Sequence, residues 1–98
     1  MVEEIKWRKK ARSSFLKIIA FLQKEWSDKI AEEFVQTVEE KTKLLKMFPK
    51  MGIASEKKNG MRKLILSKQN MLVYRIKENK IIMLTIYDTR QDLIKIDA

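Results

Sequence analysis

The spacing of apolar residues changes once along this chain, across a loop that contains its only proline. Before Pro49 the apolar residues recur every three to four positions, and after Met61 they recur at every second position. The first spacing is typical of amphipathic helices, and the second is typical of strands. The sequence therefore predicts a helical first half followed by a sheet.

Two helices are predicted before Pro49, over residues 8–25 and from Ser27 to residues 46–48. Ser27 is a good N-cap, and Pro49 disfavours helical geometry at the residue before it. Because Ser27 is the only break between them, we expect the two helices to form an antiparallel hairpin. In each helix the apolar residues recur on one side and form an apolar stripe, which is predicted to lie in the core. The stripe residues are Ala11, Phe15, Ile18, Ile19, Leu22, Trp26, Ile30, Ala31, Phe34, Val35, Val38, Leu45 and Phe48.

The remaining segments read as strands joined by short polar turns. A short strand is also predicted at the start of the chain, and residues 49–61 are predicted to be a loop because they contain Pro, Gly and Asn-Gly turn signals. The fold class is α+β, in the order β-α-α-β-β-β, with an antiparallel sheet and the helical hairpin packed on one face. The predicted strands are residues 2–7, 62–67, 71–77 and 80–87, with a possible short strand at 93–97.

The alternation within the strands predicts which sheet face receives the helices. The residues predicted to face them are Leu72, Tyr74, Ile76, Ile82, Leu84 and Ile86. Arg75 and Tyr87 then lie on the other face. We expect that face to be a concave, positively charged surface.

Composition limits the chemistry of the chain. It has 98 residues, which predicts a single domain over residues 1–98, and its formal net charge is +9. It has no Cys and no His, which excludes a disulfide framework, the common zinc sites and nucleophiles that depend on His; no cofactor is expected. No apolar run is long enough to span a membrane, and we expect a soluble, cytoplasmic protein. The basic excess suits nucleic acid or an acidic protein partner, or simply a solubilising surface.

An ordered set of short segments covers nearly the whole chain and carries a resemblance. The segments are Ile5-Lys6-Trp7, Ala11, Glu25-Trp26-Ser27, Leu45 with Phe48-Pro49 and Gly52, Arg62-Lys63-Leu64, Leu72-Val73-Tyr74-Arg75-Ile76, and Leu84-Thr85-Ile86-Tyr87-Asp88-Thr89-Arg90-Gln91-Asp92. Together they resemble the RelE/ParE superfamily of bacterial toxins from type II toxin–antitoxin systems. The resemblance implies a growth-inhibiting toxin, of the kind associated with plasmid stabilisation, and a cognate antitoxin that wraps and neutralises it.

The superfamily divides into RelE-like enzymes, which cut mRNA on the ribosome, and ParE-like toxins, which poison DNA gyrase without catalysis. Three positions where the RNA-cutting branch usually has Arg, His and Tyr hold Met71, Thr89 and Ile94 here, and only Arg90 and Arg62 match. The resemblance therefore favours a ParE-like, non-catalytic inhibitor. The alternatives are a RelE-like endoribonuclease with an atypical basic site, or a non-toxic module that still binds its antitoxin.

Six residues are candidates for contacting a target or a nucleic acid: Arg62, Lys63, Lys68, Arg75, Tyr87 and Arg90. Arginine and lysine supply the positive charge, and Arg75 stands at an apolar-rich strand position where its donors need acceptors. The alternative for Arg75 is an ion pair with Glu78 or Asp88. For Arg90 it is a pair with Asp88, Asp92 or an acidic residue of a helix. The expected partners are the antitoxin and either gyrase or the ribosome with its mRNA, with a dimer or a heterotetramer as possible assemblies.

Overall fold

The computed structural model of the protein describes residues 2–88, which form two helices and one five-stranded sheet. The strands lie side by side in the order β1-β5-β4-β3-β2. The helices pack on one face of this sheet, so the predicted α+β class and hairpin arrangement are confirmed. In chain order the elements are β1 (Glu4–Trp7), α1 (Lys9–Glu25), α2 (Asp28–Met47), β2 (Ile53–Ala54), β3 (Met61–Ile65), β4 (Asn70–Lys77) and β5 (Lys80–Asp88).

The sheet is mixed rather than wholly antiparallel. β1 runs parallel to β5, with Ile5 opposite Ile81, while the other neighbouring strands are antiparallel. A parallel pair needs a long connection between its strands, and the helical hairpin with the following strands supplies it. The expectation of antiparallel neighbours thus applies to the strands that short turns connect.

A two-residue strand, β2, lies inside the segment predicted to be a continuous loop. Ile53 and Ala54 pair with Lys63 and Arg62 of β3. Two residues are too few to show an alternating pattern, so the sequence carried no signal for this strand. The possible strand at residues 93–97 lies outside the described residues.

The helix boundaries follow the predicted caps. The Ser27 hydroxyl accepts a hydrogen bond from the backbone N–H of Ile30 at 3.1 Å, and α2 ends at Met47, two residues before Pro49. Both boundaries are confirmed. They hold because a capping oxygen satisfies an otherwise unpaired N–H at the start of α2, and proline restricts the residue before it at the end.

Most of the two helix stripes lie in the core, but their ends do not. Trp26 is 69% exposed, Phe48 is 56% exposed and Ile30 is 38% exposed, so the prediction that these three are buried is wrong. The carbonyl of Leu22 accepts hydrogen bonds from the N–H groups of both Trp26 and Ser27. This tight turn leaves Trp26 at the outer end of the hairpin.

A bulge in β5 changes which residues face the helices. Val73 pairs with Thr85 and Tyr74 pairs with Met83, so Leu84 has no residue opposite it. The core therefore takes Ile81 and Met83 before the bulge and Ile86 after it, and the assignment of Ile82 and Leu84 to the helix-facing side is wrong. In β4 the predicted set is confirmed. Leu72 and Tyr74 are buried in the core, and Ile76 packs against it.

Candidate functional site

The sheet face opposite the helices is called the open face here. Arg75 lies opposite Met61 of β3 and Ile82 of β5, and Ile82 in turn lies opposite Lys6 of β1. Lys6 reaches this face through the pairing of β1 with β5. The sequence alone does not indicate this position, because the pairing of β1 with β5 was not predicted. The residues of the open face are Lys6, Met61, Lys63, Ile65, Met71, Val73, Arg75, Ile82 and Tyr87.

Arg75 has an unusual environment for an arginine. Its Nε atom is buried and donates no hydrogen bond within residues 2–88. The ion pairs considered with Glu78 and Asp88 are not formed within this part of the chain. A buried donor without an acceptor is unfavourable, so this guanidinium is suited to an acceptor that a ligand supplies.

The centre of the open face is apolar. Val73 is 5% exposed and Tyr87 is 7% exposed, and the Tyr87 hydroxyl donates a hydrogen bond to the Met71 sulfur at 3.1 Å. The basic side chains of Lys63 and Arg75 therefore border a closed apolar centre. This corrects the expectation of an open, concave and positively charged surface.

Arg62 lies on the other side of β3 and is engaged by the protein itself. It stands opposite Tyr74, and its Nη1 donates to the carbonyl oxygens of Lys50 at 3.2 Å and Gly52 at 2.7 Å. The Tyr74 hydroxyl donates to the carbonyl of Pro49 at 2.8 Å and accepts from the N–H of Gly52 at 3.0 Å. These two side chains fix the loop of residues 49–52, which we call the 49–52 loop.

The environment of Tyr74 changes its acidity. Burial raises the pKa of the Tyr74 phenol, while the hydrogen bond from Gly52 and the nearby positive charge of Arg62 oppose that rise. The neutral phenol is therefore the form that the folded protein prefers. A neutral hydroxyl can both donate to Pro49 and accept from Gly52, which is the role observed.

Lys68 lies at the tip of the helical hairpin. It belongs to the turn between β3 and β4, and with Trp26, Ile30 and Phe34 it lines a cleft of about 390 Å³. The structure thus places Lys63, Arg75 and Tyr87 on one face of the sheet, Arg62 on the other face, and Lys68 in the turn between β3 and β4. Arg90 lies outside the described residues.

A second concave surface lies along the two helices, and we call it the helix groove. Its volume is about 580 Å³. Arg12, Glu39 and Lys43 stand among its lining residues, and α1 carries no acidic residue before Glu25. The apolar and hydroxyl side chains that line it are Trp7, Phe15, Leu16, Val35, Val38 and Thr42.

The described residues contain neither a metal-binding cluster nor a membrane-spanning helix. No cluster of His, Cys, Asp or Glu that could hold a metal ion occurs between residues 2 and 88. Across the same residues, neither helix is long and apolar enough to cross a bilayer.

Comparison with known families identifies the chain. The profile of the family described as "ParE toxin of type II toxin-antitoxin system, parDE" matches residues 5–93. The chain belongs to the ParE toxin family. The predicted membership of the RelE/ParE superfamily is confirmed, and a search of curated proteins finds no match.

Solved structures show the same fold. The "Chromosomal ParDE TA system from P. aeruginosa" has 26% identity and a TM-score of 0.74, covering 89% of this chain and 96% of that chain. A "YoeB/ParE toxin from Agrobacterium tumefaciens" has 12% identity and a TM-score of 0.63, covering 88% and 98%. A copper-bound L66S mutant toxin from Helicobacter pylori has 17% identity and a TM-score of 0.64, covering 93% and 98%.

Proposed function

We propose that this ParE-family protein inhibits DNA gyrase in the cytoplasm by binding it without catalysis, and that a cognate antitoxin neutralises it. The observation that carries the proposal is the match to the ParE toxin family over residues 5–93. The net charge of +9 supports binding to an acidic surface or to an enzyme that is itself engaged with DNA.

The arrangement of polar groups supports binding rather than RNA cleavage. Cleavage by attack of a 2′-hydroxyl needs a base, an acid and a group that stabilises the developing charge. Arg62, a candidate for the last role, donates to the carbonyls of the 49–52 loop, and the Tyr87 hydroxyl donates to Met71. These contacts occupy two of the groups on which a nuclease would depend.

The open face is the surface that we assign to the target. Arg75 is half-buried and its Nε donates no hydrogen bond within residues 2–88, and Lys6 and Lys63 add positive charge around the apolar centre. Ile65 is 55% exposed and Met61 and Met71 are partly exposed, so apolar contact area beside charged donors remains around the closed centre, as is typical of protein interfaces. An arginine whose donor gains an acceptor only in the complex is expected to contribute strongly to the binding free energy.

The helix groove is the surface that we assign to the antitoxin. Its floor is apolar, and the two basic residues that line it, Arg12 and Lys43, outnumber the single acidic one, Glu39. An amphipathic segment with Asp or Glu at its border complements this surface. The target and the antitoxin would then occupy opposite layers of the protein.

A supercoiling assay tests the proposed target. The wild-type protein is expected to inhibit purified gyrase, and Arg75→Ala is expected to lose at least about tenfold in potency, because truncating a hot-spot residue costs about 2 kcal/mol or more. Arg12→Ala is the matched control on the helical layer and keeps full potency. Growth arrest with gyrase unaffected would refute this target, and mRNA ends mapped to the ribosomal A site would indicate the nuclease alternative instead.

Co-expression with the product of a neighbouring antitoxin gene tests the second partner. The antitoxin is expected to restore growth and to co-purify with the toxin, and the mass of the complex reports whether it is a heterodimer or a heterotetramer. Leu16→Asp in the helix groove should abolish rescue, while Phe21→Asp, on the same helix but outside the groove, should not. Normal growth without any antitoxin would indicate a module that is not toxic.

A further inference from the structure

Four large apolar side chains are exposed together where α2 ends, and we call them the Met47 patch. They are Leu44, Met47, Phe48 and Met51, with exposures of 40%, 56%, 56% and 37%. Their spacing of three, four and seven positions places the first three on one side of the last helical turn. A cluster of this kind on a small protein is typical of a binding surface.

The backbone beneath the Met47 patch is fixed in place. The N–H of Phe48 donates to the carbonyl of Leu44 at 2.7 Å, and the N–H of Met51 donates to the carbonyl of Phe48 at 3.0 Å. The 49–52 loop is held in addition by the hydrogen bonds from Tyr74 and Arg62. The backbone that carries the exposed side chains is therefore ordered before a partner binds, which reduces the entropy lost on binding.

The segment of the chain that carries the Met47 patch is basic. Residues 41–55 contain four lysines and no acidic residue, and within the described part of the chain these lysines form no ion pair. An apolar surface on a segment whose own charges are all ammonium groups is complementary to an apolar segment that carries carboxylates. The four lysines are Lys41, Lys43, Lys46 and Lys50.

We propose that the Met47 patch docks an amphipathic protein segment whose apolar side chains are interspersed with Asp and Glu. Methionine side chains adapt to irregular apolar partners, which suits such a segment. The edge strand β2 follows the patch directly, and Ile53 in it is 68% exposed. The unpaired side of an edge strand needs hydrogen bonds that a polypeptide supplies and a lipid surface does not, which favours a protein over an anionic membrane.

Methyl NMR of the protein labelled at methionine is a direct test. Met47 and Met51 report on the patch, Met61 and Met71 report on the open face, and Met83 reports on the core. The probes are a synthetic amphipathic helix of leucine, alanine and glutamate, the same peptide with lysine in place of glutamate, and vesicles of equal parts phosphatidylglycerol and phosphatidylcholine.

The expected result is that the glutamate peptide shifts the methyl signals of Met47 and Met51 and leaves those of Met61, Met71 and Met83 in place. The lysine peptide is expected to bind at least about tenfold more weakly, because its charges repel the lysines of this segment. Shifts confined to Met61 and Met71, or equal binding of the two peptides, would overturn the proposal. Binding of the vesicles without binding of the glutamate peptide would identify the patch as a membrane surface and overturn it too.

A paired variant separates the patch from the rest of the surface. Met47→Ser combined with Phe48→Ser is expected to weaken binding of the glutamate peptide by about tenfold or more, and an unchanged Met83 signal verifies the fold. Ile65→Ser, at a site of similar exposure on the open face, is the matched control and keeps full affinity. Unchanged affinity in the paired variant would refute the proposal, and neither outcome depends on whether the protein inhibits gyrase.

Discussion

The hydroxyl of Tyr74 in β4 donates a 2.8 Å hydrogen bond to the carbonyl oxygen of Pro49, 25 positions earlier in the chain. The same hydroxyl accepts from the N–H of Gly52, and Tyr74 is itself fully buried. One side chain of the sheet therefore satisfies two backbone groups that follow α2. This contact joins the helical layer to the sheet and supports the Met47 patch.

Substitution of Gly52 should be more costly than substitution of Gly60. A Cβ atom at Gly52 would lie 2.7 Å from the Tyr74 hydroxyl and 2.8 Å from the carbonyl of Lys63, and the backbone oxygen cannot move away easily. We expect Gly52→Ala to lower the free energy of unfolding by about 3 kcal/mol. Gly60 has φ +78°, and a Cβ atom there would make only ordinary contacts, 3.6 Å from the Ile76 carbonyl oxygen and 3.9 Å from Arg75 Cγ, so Gly60→Ala should cost about 1 kcal/mol from backbone strain alone. Urea unfolding of both variants checks the order, and a larger loss at Gly60 would contradict it.

The raised pKa of Tyr74 predicts a loss of stability in alkali. The neutral phenol is favoured in the folded protein, so its contribution is complete below the unfolded pKa of about 10 and is lost as the pH rises through the higher folded pKa. Tyr74→Phe should lower the free energy of unfolding at neutral pH by about 1–3 kcal/mol, because it leaves the Pro49 and Gly52 groups without a partner. Unfolding measured from pH 8 to 11.5 should show a steeper decline in the wild type than in Tyr74→Phe, and equal slopes would contradict this assignment.

Arg62 is expected to matter for stability and not for direct contact with the target. Arg62→Met removes the donors to Lys50 and Gly52 while retaining an apolar stem, and it should reduce the free energy of unfolding by about 1–3 kcal/mol. Arg12→Met, at an exposed helical position, should change it by no more than about 0.5 kcal/mol. At a temperature where both variants remain folded, we expect both to keep their effect on gyrase. A loss of inhibition by folded Arg62→Met would place Arg62 at the target after all.

Trp26 should be nearly neutral for stability despite its size. It is 69% exposed at the end of the hairpin, whereas Phe34 is 6% exposed in the core and stacks near Phe15 with a ring distance of 5.8 Å. Trp26→Ala should cost less than about 1 kcal/mol, and Phe34→Ala should cost about 3–5 kcal/mol. Thermal unfolding compares them directly. A similar loss for both would mean that Trp26 packs against the core in solution.

Local signals predicted the elements of this fold well. The 3.6-residue and two-residue spacings located both helices and the four longer strands, because a side chain's position in a helix or strand repeats with a fixed period. Ser27 and Pro49 set the bounds of α2 through contacts within a few residues. The site was harder to predict. The open face includes Lys6 because of a long-range strand pair, and Arg62 lies on the opposite face because it pairs with Tyr74 of β4.

The sequence by itself determined the order and type of the longer elements, the helix caps, the excess of positive charge and the resemblance to the toxin superfamily. Each of these depends on neighbouring residues or on residue identity. Only the tertiary structure decided the bulge at Leu84, the exposure of Trp26 and Phe48, and the burial of the Arg75 Nε atom. Each of these depends on which distant segment packs against the residue, and that is set by the joint packing of helices and sheet rather than by any local pattern.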